Sequence, residues 1–248
     1  MPSATIGIGD VFTSKDYGEV VVLQYDNCKK IKVKFLATGF ETNVESTRLR
    51  RGLIVDYIAR DTKCYGKGIY DFWKFDKDII RTKGFQKIYN VWRHMLRRCY
   101  CEDSLKKRPT YIGCTVAEEW FVFSNFYSWV VVRNWEGNHL DKDILVKGNK
   151  VYSKDTCVFV HPRVNTFFCF KRDSKHATGV YYREASGRYL ASANNPFSGK
   201  VEFLGSYETE QNAHEAWRRR KQELAILLAK SEYVWDSSVK EAILNLFK

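Results

Sequence analysis

The residues most able to do chemistry lie between His139 and Asn165, in the stretch HLDKDILVKGNKVYSKDTCVFVHPRVN. Asp141 and Asp143 offer carboxylate oxygens and Asn165 an amide oxygen. Oxygen donors of this kind suit a hard divalent cation, Mg2+ or Mn2+, and such a cation keeps coordination positions open for a phosphate. His139 precedes Asp141 by two positions and shares its face of a strand by alternation, which makes it a candidate to move a proton. Lys142 is a second candidate on the condition that burial or neighbouring cations depress its pKa. His161, on the approach to Asn165, is a third. Gly148-Asn149 marks a tight turn between two apolar runs, and Asn165 follows Val164 where a helix can begin.

Those side chains need a scaffold, and the residues upstream supply its elements. VWRHMLRRCY (Val91 to Tyr100), TYIGCTV (Thr110 to Val116) and EEWFVFSNFYSWV (Glu118 to Val130) precede LDKD in that order. Together the four blocks resemble the HNH nucleases of bacteriophage type, in the variant where LDR or LDK replaces the Asp-His pair. The resemblance implies a ββα-metal core. Asp141 then takes the first metal position and Asn165 the position on the helix, while Lys142 falls where the family has its histidine base. Thr156 falls where the family's loop-tethering asparagine belongs, so Asn149 reads as the loop-bracing residue.

Ile88, Val91, Trp92, Met95 and Cys99 recur at helical spacing, which predicts an amphipathic helix with Arg93, Arg97 and Arg98 off its apolar face. Nine Lys or Arg fall between Arg81 and Arg108, against Glu102 and Asp103. The whole chain of 248 residues has 41 Lys and Arg against 29 Asp and Glu, a net charge of +12, with 16 Phe, 15 Tyr and 7 Trp. That balance is the one expected of a nucleic-acid binder, because phosphate neutralisation supplies much of the affinity. No apolar run reaches the length of a membrane span and no leader opens the chain, so the expected compartment is the cytoplasm. The seven cysteines form no CxxC pair and read as free thiols; Cys99, Cys101, Cys114 and Cys157 are poorly spaced for zinc.

The expected fold class is α+β in three parts. Residues 1–55 read as a small antiparallel β-barrel: Val20 to Leu23 is an apolar run, Ile31, Val33 and Phe35 alternate with lysines, and Tyr25-Asp26-Asn27 and Thr38-Gly39 are turn signals. Its opening GDVFTSKDYGEVVVLQY resembles barrels of the Tudor or KOW sort. Residues 56–175 form the HNH-like part, including a core-forming aromatic segment at 118–132. Residues 176–248 read as three strands and a helix capped by Thr209, with Ala213, Ala216, Trp217 and Leu224 as its apolar stripe. The long helix is expected to break near Ser237-Ser238, and a short one to follow.

The order GV, G-x-aromatic-x-A, LG-x-aromatic and A-x-x-A-aromatic in this last part resembles the DNA-binding domain of the Apetala and ethylene-response-factor families. That resemblance implies a sheet lying in the major groove, with Tyr181, Arg183, Arg188, Ser192 and Asn194 facing DNA. The combined expectation is a metal-dependent endonuclease, of homing or nicking type, acting on double-stranded DNA. The alternative is a DNA-binding or host-interaction protein on an inactive HNH scaffold; an RNA-binding role for the N-terminal part is a third. A protein partner could dock through the N-terminal barrel or the C-terminal helix, and no membrane contact is expected.

Overall fold

A computed structural model describes residues 5–60, 63–169 and 175–247, and they form a mixed α+β chain. Strands β1 (Val11–Ser14), β2 (Gly18–Asn27), β3 (Lys30–Phe35) and β4 (Glu41–Val44) make an antiparallel meander, followed by helix α1 (Ser46–Arg50). Alternation works as expected in β3: Ile31, Val33 and Phe35 are fully buried against Val20, Val22, Phe40 and Leu49, and the intervening lysines face outward. The sheet does not close into the expected barrel. β1 and β4 are four residues each, and the segment after α1 occupies the flank of β1, where Lys15 N–H donates to Gly52 O at 3.0 Å and Ser14 Oγ to Ile54 O at 2.8 Å. Tyr25-Asp26-Asn27 is no turn either: β2 runs through it, and the chain reverses at Cys28-Lys29, where Asn27 Oδ1 accepts the Lys29 N–H.

Short elements lead onward: β5 (Lys63–Cys64), β6 (Gly68–Ile69) and α2 (Lys77–Ile80). Two buried carboxylates pin this connector. Asp56 accepts the Thr38 hydroxyl and the N–H groups of Ile58 and Ala59, and Asp71 accepts the N–H and hydroxyl of Ser124. Aromatic rings bridge the boundary near residue 55: Trp73 stacks on Tyr57 and meets Phe40 edge-on, both at 5.2 Å between centroids.

The central core is organised by α3 (Lys83–Tyr100), which Thr82 caps by accepting the Phe85 N–H, and which is followed by α4 (Glu102–Lys107). Phe85, Ile88, Trp92, Met95, Leu96 and Cys99 form its buried face, and Trp92 Nε1 donates to Trp120 O at 2.7 Å. Gly68 lies so close to this face that a Cβ there would sit 2.3 Å from Leu96. Next come β7 (Thr115–Val116) and α5 (Phe123–Val131), the latter burying Phe123, Phe126 and Val130 as the expected aromatic core. Then β8 (His139–Asp141), β9 (Val151–Tyr152), β10 (Val158–Val160) and α6 (Pro162–Phe167) carry the stretch from His139 to Asn165. β8 pairs antiparallel with β10, and β9 instead pairs parallel with β7. Residues 142–157 are therefore a long excursion between two paired strands, with Gly148-Asn149 inside it.

The C-terminal part has strands β11 (Val180–Arg183), β12 (Arg188–Asn194) and β13 (Val201–Tyr207) in that spatial order, then α7 (Glu210–Ala229) and α8 (Ser237–Asn245). Ala213 and Ala216 of α7 pack on Val180 and Ala191, and Gly179, at φ +83°, lets Trp217 close against the sheet. Asp236 caps α8, so Ser237-Ser238 opens that helix; the break lies before it. The second half of α7 does not stay within this part. Leu224, Ala225 and Leu228 join Val239 and Ile243 of α8 in one apolar core with Val158, Val160, Val164 and Phe167. The expected boundary at 175/176 thus cuts through a shared core, and a truncation there would expose the underside of β10 and α6.

Candidate active site

β8, α3, α6 and the 142–152 excursion surround a cleft of about 660 Å³. Asp141, at the end of β8, is half-buried, and its Oδ1 accepts the N–H groups of Asp143 and Ile144, both at 2.8 Å. Burial raises its carboxyl above the usual range; the negative charge of Asp143 pushes the same way, against the two N–H bonds. Lys142 points to the inner side: it is 8% exposed, and its Nζ donates to Asp143 Oδ2 and to Asn149 O, each at 3.0 Å. Asn149 returns the contact, its Nδ2 donating to Lys142 O at 2.6 Å and Val151 O at 2.7 Å while Oδ1 accepts the Val151 N–H. Thr156 ties to Ser153 Oγ and Val151 O in the same excursion.

Asn165 lies inside α6, one turn from the Pro162 that starts it, and reaches across to His139: Asn165 Nδ2 and His139 Nδ1 are 3.1 Å apart. This contact links two roles. With the amide nitrogen donating, the ring carries its proton on Nε2 and the Asn165 oxygen is free for a cation. For Nε2 to accept a proton, the amide must turn and take the Nδ1–H on its oxygen. His161 serves elsewhere: its Nδ1 accepts the Arg163 N–H at the start of α6, and its ring stacks on Tyr233.

The arginines of α3 divide. Arg93 and Arg97 are exposed, whereas Arg98 turns into the cleft, its guanidinium 5.7 Å from the Tyr111 ring centre and 5.5 Å from that of Tyr152. Its Nε is buried without a hydrogen bond among the described residues. His94 and Lys150 line the same cleft; neither type nor spacing marks them in the sequence, although His94 lies four residues before Arg98 on one helix face. Burial and then the charges of Arg93, Arg98 and Arg97 hold the His94 imidazole below its ordinary pKa. Lys150 Nζ is tied to the carbonyls of Thr110 and Ile112.

No group of three or more His, Cys, Asp or Glu suited to a metal occurs among the described residues. The donors present are one carboxylate with a second beside it and an amide oxygen. That set fits Mg2+ or Mn2+, which are commonly held by one or two carboxylates and completed by water and substrate phosphate. It does not fit zinc, and the cysteines of the described residues are free thiols.

A larger groove of about 740 Å³ lies on the other side of α6, lined by Arg163, Thr166, Ser192, Asn194, Trp217 and Lys221, and among the described residues no carboxylate lines it. It leads to the outer face of the C-terminal sheet. Tyr181 and Arg183 of β11 stand opposite Leu190 and Arg188 of β12, with Ser192 and Asn194 further along the same face. Arg188 bonds Ser206 and approaches Glu208 at 3.7 Å. Val201 and Phe203 complete that face and were not singled out in the sequence, where they read as ordinary strand residues. Comparison with protein-family models, with curated proteins and with solved structures finds no match to this chain. Among the described residues no helix is long and apolar enough to cross a membrane.

Proposed function

We propose that the chain is a metal-dependent DNA endonuclease of HNH-like ββα type, with the C-terminal sheet as its duplex-binding surface. The observation that carries this reading is the convergence of Asp141, His139 and Asn165 on one cleft that also receives Arg98 and Lys150. A cation held by Asp141 and Asn165 would stabilise charge on the scissile phosphate and on the leaving oxygen. Arg98 directs a desolvated positive charge at the phosphate oxygens, and the Tyr111 and Tyr152 rings fix its direction. With the Asn165 amide turned, its oxygen would take the His139 Nδ1–H on one lone pair and the cation on the other, which leaves Nε2 to accept the proton of the attacking water. Lys142 keeps the excursion closed over Asp143, and its engagement there leaves the proton transfer to His139.

Lys142 standing at the family's histidine position favours the second reading, a DNA-binding protein on an inactive scaffold. Plasmid nicking separates the two. The wild-type chain should nick supercoiled DNA in Mg2+ or Mn2+ and stop when the metal is chelated. Asp141→Ala should abolish nicking with duplex binding nearly intact, and His139→Ala should slow it roughly a hundredfold. Duplex binding without cleavage in either metal would assign the chain to the inactive scaffold.

A further inference from the structure

The outer face of the C-terminal sheet has a chemistry of its own. Phe203 and Val201 are each 66% exposed and Tyr181 52%, on a face where helix packing gives an apolar residue no reason to be. Register sets Phe203 opposite Ser192 and Val201 opposite Asn194, so an amide and two apolar groups lie side by side at one end. Asn194 is exposed. At the other end Arg183 pairs directly with Arg188. Like charges opposed across a sheet repel; the exposed Glu208 carboxylate, 3.7 Å from Arg188, answers part of that charge, and an anion bound there would meet the rest.

One partner matches all three features. In the major groove an A·T pair presents adenine N6 and N7, which an asparagine reads in a bidentate fashion, next to the thymine C5 methyl, which takes apolar contacts; the strand phosphates flank both. We infer that this face reads A·T pairs, with Asn194 on the adenine edge, Phe203 and Val201 on thymine methyls, and Arg183 with Arg188 on the backbone. The inference rests on the DNA-binding half of the proposed function and gives it a sequence preference.

The test uses the full chain and three short fluorescent duplexes: one rich in A·T, the same with deoxyuridine for every thymidine, and one rich in G·C. Uracil lacks the C5 methyl, so anisotropy should show weaker binding to the uracil duplex by about fourfold for each methyl contacted. Phe203→Ser, an exposed change checked for folding by circular dichroism, should narrow the gap between thymine and uracil duplexes, and Asn194→Ala should narrow that between A·T and G·C. Equal affinity of the wild-type chain for thymine and uracil duplexes overturns the inference. Nicking in Mg2+ together with that equality leaves the nuclease standing; thymine preference without nicking removes the nuclease and keeps the readout. A chain that binds none of the duplexes overturns both.

Discussion

Replacing Lys221 by methionine should favour the folded protein more at neutral pH than in alkali. Lys221 lies on α7 at 4% exposure, with its ammonium 3.3 Å from the centre of the Phe167 ring. Burial pushes its pKa down from the ordinary 10.5 to about 8, because the charged form loses its hydration. Between those two pH values the unfolded chain binds a proton that the folded chain does not. Stability therefore rises with pH across the window, and below pH 8 the whole penalty is present. A displacement of this size corresponds to roughly 3 kcal/mol between the two ends of the window, whatever contacts the ammonium makes. Methionine keeps the unbranched apolar stem and carries no charge, so its stability relative to the wild type should be greater at pH 7 than above pH 10.5 by roughly 3 kcal/mol. Urea denaturation at pH 7 and above pH 10.5 measures both ends. A difference between variant and wild type that does not change with pH would refute the argument that a desolvated charge sits at this position.

Two further substitutions test the packing and the cleft. Gly179→Ala forces a Cβ to within 2.0 Å of Trp217 Cδ1 at a φ of +83°, and should cost at least ~3 kcal/mol, seen as a fall in thermal midpoint. Asn149→Ala removes the side-chain bonds to Lys142 O and Val151 O and should cost roughly 1–3 kcal/mol; faster hydrogen exchange in residues 142–152 would locate the loss in the excursion.

The elements that obey a local period were legible. The buried stripe of α3, the alternation of β3, and the Thr209 cap with its stripe on α7 follow from spacing alone, because each is decided by neighbours within one or two turns. Partners far along the chain were not legible in this way. β9 has strand residues but nothing in Val151-Tyr152 says that it lies beside β7 and not β8. The apolar positions Leu224 and Leu228 mark a face of α7 without naming α6 as what it covers. Arg98 sits off the main apolar stripe and reads as a surface arginine; the two tyrosines that draw it inward come from residues 111 and 152. Within the cleft, the acidic pair and the asparagine stood out by type, while His94 and Lys150 became visible only once α3 and the excursion met.

The core shared by α6, α7 and α8 has a consequence for how the molecule would measure DNA. α7 is 20 residues long, about 30 Å, and holds the sheet at one end and the helix bearing Asn165 at the other. That length is close to one turn of the double helix, ~34 Å. A recognition unit on a slack tether would scatter its cuts. Here a single strut joins the sheet to the helix that bears Asn165, so under the proposed nuclease function the nick should fall at a constant offset, within about one turn of the base pairs contacted by the sheet.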